Sequence, residues 1–261
     1  YQNNSKLKHF NIFQENTLRY NFSKKIDITA NLNFQQSFFK FNDFSTNIFL
    51  LNPSLFLNIK KTGFGNFSLS YSENNTLPEV NQLTSNFQLT DYRNFSQGTT
   101  YNKPLKNQTT TLNYYIYNDE KRFSINTSVY YVNSKSIFNT SSNLTSDFNF
   151  NSYIQTKGSN SYNFNFSFVN YVRKLKLASK IETNNSWITS PINVNSTEFL
   201  NAKSYSNSIK YSGTTYFKSK INFDFGFSYN YFQSNFQGIK TNNTTKDAFL
   251  NINYKISNTI L

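Results

Sequence analysis

The sequence predicts an all-β fold, a transmembrane antiparallel up-and-down β-barrel, and three observations lead to this prediction. Within the stretch 220–236, aromatic or β-branched side chains occupy every second position from Ile221 to Tyr231, with polar residues or glycine between them. Only a β-strand turns a period of two into one apolar and one polar face. The run exceeds the roughly 5 to 6 residues of soluble strands and suffices for the roughly 9 to 11 that cross a bilayer. The chain also holds 29 Phe and 19 Tyr, a 19% aromatic share.

The overall polarity of the chain agrees with a barrel better than with helical spans. The 261 residues are 37% hydrophobic with a mean hydropathy of -0.61. No apolar run reaches about 18 residues, which excludes transmembrane helices. A barrel exposes only alternate side chains to lipid, so its mean hydropathy stays low. The abundant Asn, Ser and Thr would also suit a prion-like disordered tract, but such tracts are poor in aromatic and β-branched residues.

The first half of the chain alternates in five segments. Apolar residues at every second position predict strands at residues 7–22, 26–38, 47–59, 67–71 and 112–116. Between them we expect short turns at 23–25 and 60–63 and longer loops at 40–45 and 74–107. Pro53 cannot donate to a ladder, which predicts a bulge, an edge or a strand beginning at that position.

The second half continues the pattern. Strands are predicted at residues 123–131, 162–168, 175–181, 205–211, 220–236 and 248–254. Short turns are expected at 118–121, 173–174 and 217–219, and longer loops at 133–160, 186–201 and 237–245. Short turns and longer loops thus alternate strictly, as up-and-down topology requires. We count about eleven strands, whereas single-chain bacterial barrels close with an even number.

The two ends of the sequence predict that the chain is a processed or partial product. It lacks methionine, and Tyr1 is not followed by a charged and then an apolar region of a signal peptide. Residues 257–258 predict one more short turn, after which a further strand begins and stops abruptly.

The net charge of +13 would ordinarily indicate nucleic acid as a partner. Many of the basic residues, however, lie in the short connectors: Lys24, Lys25, Lys60, Lys61, Lys121, Arg122, Arg173, Lys174, Lys176, Lys218 and Lys220. Several acids lie at or near the longer connectors. This separation favours basic turns on one rim, near anionic lipid headgroups or simply solvated, over a nucleic-acid groove.

Catalysis and metal binding have little support in the sequence. The chain has no cysteine and one histidine, His9, so neither a thiolate metal site nor a histidine-based triad can be assembled. P-loop and Gly-x-Gly-x-x-Gly motifs do not occur. Spacing alone leaves a glycosidase-type carboxylate pair open, but the acids are few and scattered. We therefore expect no enzyme, no metal and no cofactor.

The stretch from Tyr71 to Pro104 carries a family resemblance. Its motif residues resemble the signature of TonB-dependent-receptor-type outer-membrane barrels from Bacteroidota: Tyr71-Ser72, Leu77-Pro78, Gln82-Leu83, Asp91, Asn94 and Gly98. In that signature Tyr-Ser is followed by Arg-Pro, Gln-Leu, an Asp and a Gly-Asn-Pro run. Here Leu77 stands in place of the Arg, and Gly98-Thr99-Thr100 replaces Gly-Asn-Pro. Residues 249–256 are similar to a late barrel strand of the family.

The resemblance implies that residues 1–261 are the later portion of a plugged outer-membrane barrel of about 22 strands. It places the plug upstream and the final strands downstream. It also implies uptake of a scarce nutrient or ligand, energised by TonB and often assisted by a surface lipoprotein, with outer-membrane lipid and no nucleic acid among the partners. The alternative is a non-transporting barrel subunit of a larger outer-membrane assembly or secretion complex. A β-solenoid adhesin would need a constant repeat length, which the unequal loops lack.

The candidate site residues form two sets. The resemblance assigns a motif loop consisting of Leu77, Pro78, Gln82, Leu83, Asp91 and Gly98. Aromatic residues in the expected outer loops are candidate contacts for a sugar, a hydrophobic ligand or a partner, or else members of an interfacial girdle: Tyr92, Phe95, Tyr101 and Trp187. Asp224 lies among the polar residues that alternate with the apolar ones in its strand, and it is either a lumen residue that faces water or a plug, or a contact for an ion or substrate.

Overall fold

The computed structural model describes residues 7–41, 44–62, 65–79, 82, 87–99, 103–194 and 199–255. Within these ranges the fold is all-β, and one sheet contains 15 strands. In chain order they are β1 Leu7–Ser23, β2 Ile26–Phe41, β3 Phe44–Thr62, β4 Gly65–Thr76, β5 Gln88–Asp91, β6 Asn94–Gln97, β7 Leu105–Asn118 and β8 Phe123–Ser134. They continue with β9 Ser136–Leu144, β10 Asn149–Lys157, β11 Asn160–Val172, β12 Leu177–Val194, β13 Leu200–Thr215, β14 Ile221–Phe236 and β15 Ile239–Tyr254.

The principal part of the sheet is an antiparallel up-and-down succession. Its spatial order is β1-β2-β3-β4-β7-β8-β11-β12-β13-β14-β15, and every neighbouring pair is antiparallel. Each strand expected from the period of two is present in this order. The sheet is not closed: in the described ranges β1 pairs with β2 alone and β15 with β14 alone. The all-β, up-and-down prediction is therefore confirmed.

Two of the long connectors build a small sheet of their own, which corrects the expectation of loops at 74–107 and 133–160. The hairpins β5–β6 and β9–β10 lie within them, and β6 pairs in parallel with β10. β9 then joins the end of β12 in parallel through Asn193 and Val194. We call β5, β6, β9 and β10 the connector sheet. The parallel β6–β10 and β9–β12 pairs join segments that are distant in sequence, and a local period of two does not indicate such pairs.

The prediction of a loop at 237–245 is wrong. β14 passes into β15 through a two-residue turn at Gln237 and Gly238, both with positive φ, 53° and 81°. Two consecutive residues with positive φ are the signature of the type I′ hairpin turn, whose twist matches that of the strands. The strict alternation of short turns and longer loops therefore fails here. The expected loop at 186–201 is also too long, since β12 extends to Val194 and β13 begins at Leu200.

Pro53 marks the place where one ladder ends. It pairs with Leu32 of β2, whereas the β3–β4 ladder reaches only as far as Ser54. Beyond that point hydrogen bonds from Asn75 take the place of the ladder. The side-chain amide of Asn75 donates to the Leu51 carbonyl at 2.6 Å, and its backbone N–H donates to the Asn52 side-chain oxygen at 2.6 Å. The missing N–H of proline explains why regular pairing stops there.

The described sheet forms a single layer without a conventional core. Among the described residues, Leu50 is the one buried hydrophobic side chain, 2% exposed. Many large apolar side chains on the same sheet are exposed instead, including Leu18 at 72% and Leu250 at 64%. The described ranges contain no helix with the length and apolar character needed for a membrane span.

Candidate functional site

The strand register gives the sheet one apolar and one polar face, because directly paired residues point to the same side. One row of apolar pairs crosses the first strands: Tyr20, Ile28, Leu57, Leu69, Leu112, Val129 and Phe164. A second row continues to the last strand: Ile116, Ile125, Phe168, Ile181, Tyr211, Phe227 and Ala248. These rows, with the residues that alternate with them on the same face, form a surface that we call the apolar belt.

An aromatic row borders the apolar belt on the side of the long connectors. Tyr131 stacks on Tyr162 with ring centroids 4.6 Å apart, and Tyr162 pairs in register with Trp187. The Trp187 ring lies 5.2 Å from Tyr205, whose ring lies 6.0 Å from Tyr231. The expectation that Trp187 lies in an outer loop is wrong, since it lies within β12. It belongs to this aromatic row.

The opposite border of the belt consists of basic turns. The turns β1–β2, β3–β4, β7–β8, β11–β12 and β13–β14 all lie on one edge, because consecutive antiparallel strands alternate in direction. The basic residues at this edge are Lys24, Lys25, Lys60, Lys121, Arg122, Arg173, Lys174, Lys176, Lys218, Lys220 and Lys255. We call this edge the basic rim. The predicted clustering of short-connector cations on one rim is confirmed, apart from Lys61, whose side chain lies outside the described set.

The distance between the two borders matches a bilayer. From the turn before β14 to the aromatic row the strand runs from Ile221 to Tyr231, and in β12 it runs from Leu177 to Trp187. Each interval has the length of about 9 to 11 residues that a tilted strand needs to cross a hydrocarbon core. The strands continue past the aromatic row, to Val194 in β12 and to Phe236 in β14.

The polar face is a network of Asn, Ser and Thr side chains. The Asn165 amide donates to the Ser128 hydroxyl at 3.1 Å, and the Ser208 hydroxyl donates to Asn230 at 2.7 Å. Asp224 lies on this face and accepts a hydrogen bond from Asn253 at 2.6 Å. A shallow cavity of about 240 Å³ opens where Asn163, Asn184, Ser206 and Asn230 come together. These uncharged donors and acceptors suit contact with water or a polar ligand.

The connector sheet carries an aromatic cluster. Phe95 stacks on Phe150 with a centroid distance of 5.2 Å and an interplanar angle of 14°. Phe148 lies 5.7 Å from Phe95, and Phe87 lies 5.8 Å from Phe150. Phe87 and Phe148 remain exposed. Of this phenylalanine cluster, the sequence indicated only Phe95 as a candidate contact, since its partners come from a different connector.

Asp91 fixes the β5–β6 turn. Its carboxylate accepts hydrogen bonds from the backbone N–H of Arg93 at 3.0 Å, from the backbone N–H of Asn94 at 3.1 Å and from the Asn94 side chain at 2.6 Å. The Arg93 N–H and the Asn94 amide hold the pKa of Asp91 below its ordinary value of 3.8. Tyr92 at the turn tip is 78% exposed, with the Arg93 guanidinium 5.1 Å from its ring centre.

The remaining motif residues frame the start and end of the connector. The Gln82 side chain accepts from the Glu79 N–H at 2.9 Å, and the Gln82 carbonyl accepts from the Thr99 N–H at 2.7 Å. These bonds bring the segment that follows Pro78 close to Gly98. Pro78 is buried and Gly98 is half-buried. Leu77 is half-buried. Leu83 and Tyr101 lie outside the described residues. The motif loop thus ties the exit from β4 to the end of β6.

The described residues contain no group of three or more histidine or acidic side chains able to hold a metal ion. No family model matches the sequence, and no curated protein matches it.

Proposed function

We propose that this chain forms part of the wall of a bacterial outer-membrane β-barrel, with the apolar belt against lipid and the polar face towards an aqueous interior. The observation that carries the proposal is the apolar belt without a covering layer. Burying such a surface is the main driving force of folding, yet no second layer of the described chain covers it. Hydrocarbon is the environment in which an uncovered apolar face is stable.

The two borders support the same orientation. Tyrosine and tryptophan concentrate at membrane interfaces, where an apolar ring and a polar group are both satisfied. The aromatic row has this composition and lies one bilayer thickness from the basic rim. The polar face, rich in Asn, Ser and Thr, has the character of a barrel interior. The longer connectors then lie on the extracellular side, as in outer-membrane barrels generally.

Within this barrel we propose ligand uptake of the TonB-dependent-receptor type. Support comes from the resemblance of the Tyr71 to Pro104 stretch and from the compact arrangement of Pro78, Gln82 and Gly98 within it. The phenylalanine cluster adds an exposed aromatic surface on the same side, suited to stacking on a sugar or an apolar ligand. A plug and a TonB-contacting segment elsewhere in the gene product would favour uptake. Copurification with an assembly complex, without a plug, would favour the non-transporting subunit.

Spin labels on adjacent residues test the membrane proposal. The segment has no cysteine, so single cysteines at Phe227, Ser228 and Trp187 can be labelled in the complete natural protein, with any cysteine outside the segment replaced by serine. In lipid bilayers we expect the label at Phe227 to collide mainly with oxygen, which concentrates in hydrocarbon. The label at Ser228 should collide mainly with a water-soluble nickel complex, and the label at Trp187 should be intermediate.

The pair Phe227 and Ser228 makes the test decisive, because the two residues are adjacent and on opposite faces. Equal accessibility of both labels to the nickel complex would show that the apolar belt lies in water, and the membrane proposal would then be abandoned. Reversed accessibilities would place the wrong face against lipid and would also overturn it.

A further inference from the structure

Backbone hydrogen bonds join several neighbouring turns of the basic rim. The Lys60 N–H donates to the Lys25 carbonyl at 2.6 Å, and the Tyr216 N–H donates to the Lys176 carbonyl at 2.7 Å. At the last hairpin the Lys255 N–H donates to Lys220 at 2.8 Å. Cations from five hairpins and the end of β15 are therefore held along one line.

Few acids neutralise this line within the described residues. Asp27 is ion-paired with Lys60 at 2.9 Å, and Asp119 and Glu120 lie in the β7–β8 turn. Most other cations of the rim are exposed, and among the rim cations that the structure describes, the ion pair is that of Lys60. The rim therefore has a large positive excess that points outward from the sheet edge.

Exposed apolar side chains lie immediately beside the cations. Tyr20 and Phe22 pack edge to face with centroids 4.6 Å apart next to the Lys24-Lys25 turn, and both are more than half exposed. Leu175 is 60% exposed between Lys174 and Lys176. At the other end of the sheet Tyr216 and Phe217 precede Lys218, and all three are exposed.

We propose that the basic rim binds the phosphate groups of anionic phospholipids in the bilayer leaflet at the short-turn edge. This inference rests on the proposed membrane-spanning barrel and adds the class of lipid that the basic rim of the barrel selects. Lysine or arginine next to exposed aromatic and aliphatic side chains matches a lipid, whose charged headgroup adjoins an acyl chain. The cations would stabilise the phosphates electrostatically, and the adjacent apolar belt would contact the acyl chains.

The distribution of charge distinguishes a bilayer from other polyanions. A single-stranded nucleic acid binds in a positively charged groove with aromatic side chains on which its bases stack, whereas these cations lie in a line along the open edge of the sheet, at the border of the apolar belt. An acidic protein partner would contact a compact patch rather than the full length of the edge. A lipid leaflet extends along the entire edge and presents charge at one depth, as the rim does.

Chain-labelled spin lipids measure this selectivity directly. The complete natural protein is reconstituted in phosphatidylcholine bilayers that contain a trace of spin-labelled phosphatidylglycerol or phosphatidylcholine. The fraction of motionally restricted label gives the relative association constant of the two headgroups. We expect a preference for phosphatidylglycerol of about two- to fivefold at low salt, falling towards unity at high ionic strength as the charges are screened.

A matched pair of variants locates the effect. The rim variant carries Lys24→Gln, Lys25→Gln, Lys174→Gln and Lys218→Gln. The control removes the same charge from exposed lysines at the opposite edge, through Lys135→Gln, Lys157→Gln, Lys203→Gln and Lys240→Gln. We expect the rim variant to lose most of the preference and the control to keep it.

The outcomes separate this inference from the membrane proposal. If neither headgroup yields restricted lipid, the proposed barrel wall itself fails. If restricted lipid is present without a headgroup preference, or if both variants lose the preference equally, the barrel remains and the basic rim does not select anionic lipid. Tight binding of a single-stranded oligonucleotide that is lost in the rim variant alone, without a lipid preference, would assign the rim to a soluble polyanion instead.

Discussion

The ring of Phe225 lies directly over Gly213 on the apolar face, where the two residues form a cross-strand pair between β14 and β13. A Cβ on Gly213 would lie 2.5 Å from Cζ of this ring. A glycine in a strand weakens it unless a neighbouring side chain covers the gap, and aromatic rings are known to do so. Gly226 shows the same arrangement on the polar face, beneath Phe249.

We therefore expect Gly213→Val to destabilise the protein by about 1 to 3 kcal/mol, since the new side chain must displace the Phe225 ring. Denaturant unfolding of the refolded protein in detergent or lipid measures the change. In a Phe225→Ala background the same substitution should cost less, because the space above Gly213 is then open. Strictly additive effects of the two substitutions would show that the ring and the glycine do not interact.

The orientation of the two faces leads to a second prediction. In the proposed orientation Phe227→Arg places a charge against hydrocarbon in the middle of the apolar belt, so it should lower the free energy of unfolding by about 2 to 4 kcal/mol. Ser228→Arg is the matched control. Its side chain would lie on the polar face beside Asp247, which already accepts a 3.3 Å hydrogen bond from the Ser228 hydroxyl. Unfolding curves in lipid vesicles should show little change for this control, and equal losses for both variants would contradict the assignment of the faces.

The sequence predicted the antiparallel succession well because each strand of it shows the apolar belt as a period of two. The pattern disappears where strands extend beyond the belt, and this explains the misplaced loops. Residues 240–245 of β15 are almost entirely polar on both faces, so their strand conformation comes from pairing with β14. The sequence places Trp187 in a loop because the five residues before it in β12, 182–186, are all polar and interrupt the apolar alternation.

The candidate site was predictable only in part. Asp91, Gln82 and Pro78 were indicated by the family resemblance, and the structure gives two of them defined hydrogen-bonding roles. The phenylalanine cluster could not be assembled from sequence, because Phe95 and Phe150 meet through a parallel β6–β10 pair between separate connectors. Such a contact has no local signal, in contrast to the hairpins of the main sheet.

The β14–β15 turn provides a third prediction. Gln237 has a φ of 53°, a conformation that is unfavourable for glutamine but common for asparagine. Gln237→Asn should therefore stabilise the hairpin by a few tenths to about 1 kcal/mol. Gly238→Val should destabilise it by about 1 to 3 kcal/mol, since a β-branched residue does not tolerate its φ of 81°.

Space does not limit the substitution of Gly238, because nothing lies within 4 Å of a Cβ built on this residue. Any loss must then come from the backbone conformation. Unfolding midpoints of both variants, with Gly238→Asn as an intermediate case, would measure it. An unchanged midpoint in Gly238→Val would show that the turn does not hold the type I′ conformation in solution.

The Asp91 turn should depend on pH. Its carboxylate has a pKa below 3.8 in the folded chain, so the ionised form stabilises the β5–β6 hairpin at all pH values above its ordinary pKa. This contribution is lost as the pH falls through the lower, folded value. Because the residue is fully exposed, we expect a local effect: faster amide exchange at Arg93 and Asn94 below about pH 3.8, after correction for the intrinsic exchange rate.

Asp91→Asn should remove this pH dependence, whereas Asp147→Asn, which eliminates a carboxylate from the neighbouring hairpin, should preserve it. If protection at Asn94 in the natural protein stays constant between pH 5 and pH 2.5, the Asp91 carboxylate does not hold the turn.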